Sequence, residues 1–472
     1  MSIQKSPLEP TADEMRSATQ RVLDLLVDNI EGLDRSPASR NKPSAELLAE
    51  ISQPPPEAPE DLGVLLDRVS RAAEQSYQTA GPSYLAYIPG GGIFTSALAG
   101  FLASGLNRYT GKVATAPALV AMEESVLRWM CDLFGFPRDA QALLTTGGSM
   151  ANLIALTTAR TLRAEGQVDR ATVYVGEHAH GSIAKAVRTA GISRNHVRIV
   201  RSSSDLRLDV GHLKARLDED REAGLIPVCV CAAAGTTNTG VIDPLAEVAA
   251  IASDFGVWFH VDGAYGGFFQ LTQRGRQRLA GIELADSITL DPHKALFLPY
   301  GTGAIVVRSR DALRHTFSEA ADYMQDLDGT STLPDFDALS PELTREFRGL
   351  RLWLPLHLHG VDAFRQQLDE KLDLAASVYK ALSADDRLEV LWTPDLTVVV
   401  FRLKGGDDDA QLRFLDRINQ SQRVLLSSTR IGGSVYLRVA ILSVRTHEDR
   451  VRETLDIISG AACGNDSSNA QG

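Results

Sequence analysis

Lys294 is the residue whose setting in this sequence most clearly suggests chemistry. It stands in SITLDPHK, just after the apolar run 287–290 and behind Asp291 and Pro292. Proline ends smooth strand geometry and disfavours helical geometry in the residue before it, so we expect Lys294 on a turn at the end of a buried strand. A partly buried lysine can lose its proton and act as a nucleophile; a structural ion pair is the alternative.

A carboxylate follows another apolar run in the same way. In VWFHVDGAYGG, Asp262 comes directly after the apolar residues. A buried carboxylate is costly unless a cation or a proton donor accompanies it. The functional partner would be a protonated heterocyclic nitrogen, and an ordinary ion pair is the alternative.

Three further stretches offer an anion site, an imidazole and hydroxyl groups. In LLTTGGSMANL, Gly148 and Ser149 lie between a strand and a helix, where backbone N–H groups and the helix dipole attract an anion. The spacing fits neither a Walker loop nor a dinucleotide motif. His180 stands where a helix begins and could lie flat on a planar ring, and Thr237 offers a hydroxyl. Taken singly, each also fits a plain cap or a polar loop.

Taken together, these side chains match the needs of one cofactor. An anion-binding turn, an imidazole for a ring face, a carboxylate for a pyridinium nitrogen and a lysine for a Schiff base are the parts of a pyridoxal 5'-phosphate site. The sequence therefore predicts an enzyme that uses this cofactor.

Seven apolar runs separated by helical patterns predict the sheet that positions these groups. They read as continuous apolar segments, which is typical of a mostly parallel sheet covered by helices on both faces. The gap between the last two is too short for a crossover helix, so we expect that pair to be antiparallel. Ligands of such sheets bind at the carboxyl ends of the strands. The runs are 141–146, 171–175, 197–200, 227–233, 257–261, 287–290 and 303–307.

The rest of the chain divides around this α/β region. An amphipathic helix over 17–33 precedes a Pro- and Ser-rich linker over 36–62, and such a helix must bury its apolar face elsewhere. The strand-like runs LTVVVFRL and VYLRVAIL alternate with helices and predict a small α+β domain. We expect four parts: an N-terminal dimerisation segment (1–80), a large cofactor-binding domain (81–360), a small domain (361–463) and a disordered tail (464–472).

Charge and composition exclude several classes of function. The 472 residues carry a net charge of −12, which argues against general binding to nucleic acids or anionic membranes. No apolar run has the length of a membrane span, and the N-terminus lacks the apolar core of a signal peptide. Cys229 and Cys231 alternate in one apolar run and are expected to be buried and reduced. We expect a cytoplasmic protein.

Two long motifs resemble those of a known family. HVDGAYGG and ADSITLDPHK at their spacing, with FRGLRLWLPLHLHG, resemble the group II pyridoxal-phosphate-dependent amino acid decarboxylases. This family includes aromatic amino acid, histidine, glutamate and diaminobutyrate decarboxylases on the aspartate-aminotransferase fold (fold type I). The resemblance covers residues from about 15 to about 458. It implies a homodimer whose pockets take residues from both subunits.

The resemblance implies catalytic roles for four residues. Lys294 corresponds to the Schiff-base lysine, and Asp262 to the partner of the pyridinium nitrogen. His180 corresponds to the histidine stacked on the ring near the substrate carboxylate. Tyr323 corresponds to a tyrosine on a mobile loop that protonates the product carbon after CO2 leaves. Its presence favours simple decarboxylation over the oxidative, aldehyde-forming branch of the family.

Further residues match cofactor contacts. Gly148, Ser149 and His293 correspond to phosphate-contact positions, and Thr237 to a threonine beside the cofactor. His357 and His359, in the HLH of the third motif, are two apart on a predicted helix and face different ways, so no metal site is expected.

The chain departs from the family pattern at two positions. Asp291 stands where asparagine is common, and a carboxylate there would repel the phosphate unless it points away or bonds the backbone. Gly263 follows Asp262 where the family usually has alanine. We expect this change to remove a methyl contact with the cofactor ring and to leave room beneath it.

The substrate is less sharply defined. Residues matching Tyr87, Ile88 and Pro89 line the family's side-chain pocket, and Tyr109 and Lys112 would reach in from the partner subunit. The tyrosines suit an aromatic side chain, whereas Lys112 could pair with an acidic one or be a solvated lysine at the rim. We expect decarboxylation of an L-amino acid, aromatic rather than acidic. A transaminase, oxidative deaminase or carbon–carbon lyase, or a non-catalytic amine-binding protein, is the alternative.

Overall fold

Two β-sheets covered by helices form the framework of the chain. The computed structural model describes residues 6, 8–39, 44–319 and 332–463. The strands in these ranges are β1 (Gln141–Thr145), β2 (Ala171–Gly176), β3 (Val197–Val200), β4 (Ile226–Ala233), β5 (Trp258–Asp262), β6 (Ser287–Leu290), β7 (Gly303–Val307), β8 (Leu388–Val390), β9 (Val398–Leu403), β10 (Ser427–Ile431) and β11 (Ser434–Ala440). The α-helices are α1 (Ala12–Gly32), α2 (Ala45–Ile51), α3 (Leu62–Glu74), α4 (Phe94–Leu106), α5 (Pro117–Leu133), α6 (Gly148–Ala164), α7 (Gly181–Thr189), α8 (Val210–Glu222), α9 (Leu245–Phe255), α10 (Gln273–Arg278), α11 (Pro292–Ala295), α12 (Arg310–Phe317), α13 (Gly349–Ser383), α14 (Asp408–Gln420) and α15 (Glu448–Cys463).

The larger sheet has seven strands in the order β1-β7-β6-β5-β4-β2-β3. The pairs from β3 through β2, β4 and β5 to β6 are parallel. β7 runs antiparallel to both β6 and β1. All seven predicted strands are confirmed to within one residue at each end, and the antiparallel β6–β7 pair is confirmed as well.

Most strands of the larger sheet are buried along their length. Every residue of β1, β6 and β7 is buried. Helix α6 packs across β4, β6 and β7, and α8 and α9 pack against β4. Since both faces of the central strands are covered, the carboxylate Asp262 stands at the end of its strand. Cys229 and Cys231 are buried and unbridged in β4, as expected, with their Sγ atoms 3.7 Å apart.

The smaller sheet is antiparallel, in the order β10-β11-β9-β8. Its strands β9 and β11 confirm the two strand-like runs of the C-terminal region, and α13, α14 and α15 pack around it. α13 runs from the large sheet to the small one and is interrupted at Gly360, whose φ of +74° is left-handed. Glycine adopts this conformation without the penalty other residues meet. The interruption coincides with the domain boundary we predicted, and the division into domains stays a prediction.

The N-terminal elements differ from expectation in two places. α1 begins at Ala12, five residues before the predicted start, because Thr11 and Glu14 form a capping box. The predicted linker contains the helix α2, whose N-terminus is capped by the Ser44 side chain. The first turn of α1 and the seven-residue helix α2 are too short to show a clear apolar pattern, so the sequence did not reveal them.

Large apolar side chains of α1, α3 and α4 are exposed to solvent. α1 buries none of its residues. Isolated exposed apolar residues are ordinary, but a concentration of them on successive helices is typical of an interaction site. No helix in the described ranges has the length and apolar character needed to cross a membrane. We call these side chains the N-terminal apolar set: Val22, Leu23, Leu26, Val27, Val64, Leu65, Val69, Leu98, Phe101, Leu102 and Leu106.

Candidate active site

A cavity of about 470 Å³ opens at the carboxyl ends of β1, β4, β5 and β6. Its wall contains most of the residues predicted from sequence to bind a cofactor or substrate. The predicted residues on the wall are Tyr87, Ile88, Gly148, Ser149, His180, Thr237, Asp262, His293 and Lys294.

Lys294 lies on the short helix α11 that follows β6. Pro292 occupies the first position of this helix, where its missing N–H costs nothing and its fixed φ suits helical geometry. The Lys294 Nζ lies 2.8 Å from Asp291 Oδ2, and its side chain keeps 25% of its exposure. The lysine is therefore held at the cavity wall by an ion pair within its own turn.

Asp262 ends β5 and faces the cavity. Its Oδ1 accepts a hydrogen bond from the backbone N–H of Ala264 (3.1 Å), and its Oδ2 accepts one from Asn152 Nδ2 (3.3 Å). Both donors are neutral amides. They fix the orientation of the carboxylate without neutralising its charge, which leaves that charge for a cationic group in the cavity.

His180 caps the N-terminus of α7. Its Nδ1 accepts the backbone N–H of Ser182 at 3.2 Å and lies 2.7 Å from Ser182 Oγ. A nitrogen that accepts a backbone N–H carries no proton in the neutral ring, so the proton is assigned to Nε2. His180 can then donate a hydrogen bond from Nε2 to an anionic group.

Asn152, which sequence reasoning missed, connects these elements. Its Nδ2 donates to Asp262 and to Ser182 Oγ (3.0 Å). Its Oδ1 accepts from Thr289 Oγ1 at 2.6 Å and from His260 Nε2 at 3.0 Å. One buried amide thereby orients Asp262 directly and His180 through Ser182. The available signal was position: Asn152 lies one helical turn after Gly148 on α6.

A chain of buried hydrogen bonds from Trp258 through Ser287 to His260 determines which nitrogen of His260 donates to Asn152. Trp258 Nε1 donates to Ser287 Oγ at 2.8 Å, and Ser287 Oγ lies 2.8 Å from His260 Nδ1. The serine therefore donates its own hydrogen to Nδ1, and His260 carries its proton on Nε2. Burial lowers the pKa of His260 far below its usual value, so the imidazole is neutral.

His293 and the start of α6 form the opposite wall. His293 Nδ1 lies 2.7 Å from the carbonyl of Thr302, so this nitrogen donates and Nε2 is left toward the cavity. Burial lowers the pKa of His293. Within the described residues no side chain caps α6, and its first N–H groups at Gly148 and Ser149 have no partner in the helix. The turn can therefore receive an anion.

Arg438 is a second residue that sequence reasoning missed. It lies on β11 of the small sheet, lines the cavity together with Tyr87 and is 4% exposed. Its Nε and Nη2 atoms are buried and have no hydrogen-bond partner among the described residues. Burial lowers the pKa of Arg438 to about 10, so the guanidinium is still charged at neutral pH. A buried cation of this kind can receive a carboxylate.

The expectation for Gly263 is wrong. A Cβ placed on Gly263 would meet the Thr289 carbonyl at 3.0 Å and Ile288 Cγ2 at 3.3 Å, so it would point into the sheet. The cavity is instead lined by the neighbouring residues Asp262 and Ala264. Glycine at this position relieves packing against β6 and does not enlarge the cavity.

Three predicted residues of the described ranges are not on the cavity wall. Pro89 is buried beside the cavity wall but not on it. Tyr109 donates from its hydroxyl to the Leu343 carbonyl at 2.8 Å, and Lys112 lies 3.5 Å from Asp335. Neither lines the cavity of its own chain.

Tyr323 lies outside the described residues. Its role in protonating the product, and the contributions of Tyr109 and Lys112 across a subunit interface, stay predictions.

Comparison with known families indicates a pyridoxal-dependent enzyme, in agreement with the geometry of the cavity. Residues 45–404 match the pyridoxal-dependent decarboxylase conserved domain. The chain belongs to this decarboxylase family. It is accordingly a member of the group II amino acid decarboxylases, as its motifs predicted, and its cofactor is pyridoxal 5'-phosphate.

Relatives of this decarboxylase share nearly its whole length. The aromatic-L-amino-acid decarboxylase of Bacillus atrophaeus is 33% identical, covering 96% of this chain and 97% of its own. The phenylacetaldehyde synthase of Arabidopsis thaliana is 29% identical, covering 96% of each chain. A crystal structure of Oryza sativa TDC with PLP and tryptamine is 25% identical with a TM-score of 0.93, covering 98% of this chain and all of that one. The predicted fold class, α/β of fold type I, is confirmed.

The residues present in the decarboxylase fit the cofactor. Lys294 offers the amine for its aldehyde, Asp262 the charge for its ring nitrogen, and the uncapped start of α6 the N–H groups for its phosphate. The Asp262 carboxylate meets only neutral donors in the described structure, which is the condition that leaves it available to a protonated pyridine ring.

We expect His260→Asn to change how stability depends on pH. The folded protein keeps His260 neutral, whereas the unfolded chain takes up a proton on this imidazole below about pH 6.5. Acid therefore favours unfolding of the wild-type protein by up to roughly 1.4 kcal/mol per pH unit below that value. The variant lacks this contribution, so its free energy of unfolding should fall less steeply. Denaturant unfolding of both proteins between about pH 7 and about pH 5 measures the difference.

The matched control is His357→Asn, because His357 is exposed on α13. The His357→Asn variant should follow the wild-type curve. Parallel curves for wild type and His260→Asn would contradict the neutral, buried state of His260.

Proposed function

We propose that the protein decarboxylates an aromatic L-amino acid to the corresponding amine and CO2. The observation that carries the proposal is that Lys294, Asp262 and His180 face one cavity with the buried cation Arg438. The first three suit a pyridoxal phosphate site, and the fourth suits a carboxylate.

Each residue has a defined task in this proposal. Bound pyridoxal 5'-phosphate supplies the electron sink for the carbanion left when CO2 departs. Lys294 would hold the cofactor through its side-chain amine. Asp262 keeps the proton on the ring nitrogen, and Asn152 keeps Asp262 in position. His180 lies against the ring and donates from Nε2 to the substrate carboxylate.

The charges around the cavity favour an aromatic over an acidic substrate. Apart from histidines, the cations among the lining residues are Lys294, which binds the cofactor, and Arg438. If Arg438 takes the α-carboxylate, no cation of the described wall is left for an acidic side chain. Lys112 is engaged by Asp335 and Asp337. The ring of Tyr87 and the apolar side chain of Ile88 then form the surface for the substrate side chain.

We expect Arg438→Gln to raise KM for the amino acid by roughly 10- to 100-fold, the loss of a hydrogen-bonded charge pair of about 1.5–3 kcal/mol. The amine product has no carboxylate, so its inhibition constant should hardly change. Steady-state kinetics and product inhibition measure the two effects.

The matched control is Arg430→Gln. Arg430 lies on the neighbouring strand β10, pairs with Asp408 at the surface and should leave both constants unchanged. If Arg438→Gln weakened the amine and the amino acid equally, the arginine would shape the cavity without recognising the carboxylate.

We expect the cofactor-loaded protein to release CO2 and one equivalent of amine from aromatic L-amino acids without consuming oxygen. Simultaneous monitoring of CO2 and O2 with a panel of the protein amino acids tests this. Lys294→Ala is the inactive control, because it removes the amine that binds the cofactor.

Other outcomes would redirect the proposal. CO2 release with oxygen uptake and aldehyde formation would place the reaction with that of the phenylacetaldehyde synthase relative. Keto-acid-dependent turnover without CO2 would indicate a transaminase. Absence of turnover with every amino acid in the panel would overturn the substrate class.

We also propose that the protein is a homodimer and that the N-terminal apolar set lies in its interface. α4 contributes four exposed members to this set, and the segment with Tyr109 and Lys112 begins directly after α4. The family resemblance implies that this segment contributes to the partner's cavity, so an interface over α4 is consistent with that role. Burial of so many apolar side chains is the ordinary driving force for a stable subunit interface.

We expect Leu102→Glu to shift the protein from dimer toward monomer and to lower its activity, because a buried charge opposes association. Light scattering should give about twice the chain mass of 51.0 kDa for the wild type and a lower mass for the variant. Leu412→Glu, an exposed leucine on α14 outside the set, is the control and should remain dimeric. A monomeric, active wild type would contradict this proposal.

A further inference from the structure

Arg445 is a partly buried cation that the roles described so far leave without a task. It follows β11, the strand that carries Arg438. Its Nη1 donates hydrogen bonds to the carbonyls of Ala80 (3.0 Å) and Gly91, and its Nη2 donates to the carbonyl of Gly92 at 3.3 Å. Burial lowers the pKa of Arg445, and no carboxylate pairs with it among the described residues. One cation thus binds three backbone oxygens.

The three oxygens lie at the two ends of one segment. Residues 80–92 form what we call the pocket segment, since Tyr87 and Ile88 within it line the active-site cavity. The first of the three oxygens lies at the start of this segment and the other two at its end. One guanidinium therefore closes the segment into a loop that contains the two cavity-lining residues.

The double glycine at the end of the pocket segment allows this contact. Gly91 and Gly92 have φ of +100° and +57°, left-handed values that glycine adopts without penalty. A Cβ on Gly91 would lie 3.0 Å from the backbone N of Val444 and 3.3 Å from Ser443 Oγ. The turn therefore packs directly against the residues that precede Arg445, and this places its carbonyls beside the guanidinium.

Tyr87 adopts a backbone conformation that needs such support. Its φ of +54° is left-handed, which is unfavourable for a residue with a side chain and persists where surrounding contacts impose it. Its N–H donates to Ser427 Oγ at 3.2 Å, but the residue is 56% exposed, so side-chain packing restrains it weakly. The direction of its ring therefore depends on how the backbone on either side is held.

The middle of the pocket segment is joined to the small sheet. Leu85 donates its N–H to the carbonyl of Leu425 at 3.0 Å, and its own carbonyl accepts the N–H of Ala440 at 2.9 Å. The Leu85 side chain is buried in the core of the small sheet. Ala440 ends β11, which carries Arg438. The surface for the substrate side chain and the cation for its carboxylate are therefore attached to the same sheet.

We propose that Arg445 is a positioning residue for substrate recognition. It holds the pocket segment closed, so that Tyr87 and Ile88 contact the side chain of a substrate bound through Arg438. An arginine suits this task because its planar guanidinium carries five N–H groups and can bind several carbonyls at once. A charged donor also binds a carbonyl more strongly than a neutral one. The inference rests on the proposed function, since it assumes an amino acid with an aromatic side chain in this cavity.

Arg445→Ala should raise KM for an aromatic amino acid by roughly 10-fold, because charged hydrogen bonds that orient the side-chain surface are lost. kcat and the dissociation constant of the cofactor should hardly change, since Lys294 and Asp262 follow strands of the large sheet. The inhibition constant of the amine product should rise with KM, because the amine keeps the aromatic side chain. This last result separates Arg445 from Arg438, whose substitution is expected to spare the amine.

A double-mutant cycle shows whether Arg445 acts through Tyr87. In a Tyr87→Ala background most of the surface that Arg445 positions is already lost, so adding Arg445→Ala should change KM by about 2-fold at most. Arg452→Ala is the matched control, because Arg452 is an exposed arginine that pairs with Glu448 on α15, and it should follow the wild type. Equal effects of Arg445→Ala in the two backgrounds would overturn the proposal, as would a fall in kcat without a change in KM.

Guanidinium ion should restore the missing contact in Arg445→Ala. Arg445 lines a second cavity of about 400 Å³ together with Pro82 and Val444, and this cavity shares no lining residue with the active-site cavity. Millimolar guanidinium chloride should therefore lower the KM of Arg445→Ala toward the wild-type value without competing with the substrate. Sodium chloride at the same concentration should have no effect. An unchanged KM in guanidinium chloride would contradict a role that depends on the guanidinium group.

Hydrogen exchange tests the proposal without turnover. In cofactor-loaded Arg445→Ala the amides of Leu85 and Tyr87 should exchange roughly 10-fold faster than in the wild type, whereas those of β5 and β6 should exchange alike. Equal exchange in the pocket segment would overturn the inference even if the wild type decarboxylates aromatic amino acids. Faster exchange together with a wild type that turns over no amino acid would support the contact and reject the proposed function instead.

Arg445→Lys serves where Arg445→Ala does not yield folded protein. A single ammonium group cannot bind both ends of the pocket segment as the planar guanidinium does, so the same changes in KM and exchange are expected to a smaller degree. Wild-type KM and wild-type exchange in Arg445→Lys would show that a positive charge is sufficient, and would overturn closure of the segment by the guanidinium.

Discussion

The side-chain amide of Asn152 is the contact on which the geometry of the cavity depends. It gives two hydrogen bonds and receives two, and these link α6, β5, β6 and the start of α7. An amide can do this because it offers donors and an acceptor on one rigid plane. Asp262 and His180 lie on different elements, yet their orientations share this one buried group. The neutral His260 fixes which way the amide faces, since its Nε2 must donate.

Much of the fold could be predicted because buried strands appear in the sequence as runs of mostly apolar residues. Strands covered on both faces are buried at every position and mostly apolar, so runs such as 287–290 and 303–307 were found with their ends nearly correct. Lys294 and Asp262 stood out for the same reason, as charged residues directly after such runs. α1 and α2 were less well placed, because their starts depend on the caps at Thr11 and Ser44 rather than on an apolar pattern.

The residues that were missed belong to contacts between distant segments. Asn152 reaches His260, which is 108 positions away along the chain, and no local pattern announces such a pairing. Arg438 sits in a strand that reads as ordinary small-domain sheet, and only folding brings it to the cavity. Gly263 was misjudged because the direction of a missing Cβ depends on the local backbone turn after β5. The spacing of the motifs is enough to predict the chemistry of the site. The contacts that orient its residues can be identified only from the folded structure.

Arg438 lies on the small sheet, whereas Lys294 and Asp262 follow strands of the large one. The cavity therefore lies between the two sheets, and each side of its wall is held in place by a different hydrophobic core. Damage to the small core around Phe401 and Phe414 would displace the guanidinium while leaving the cofactor wall in place. If Arg438 receives the substrate carboxylate as proposed, substitutions in the small core would leave cofactor binding intact and weaken substrate binding.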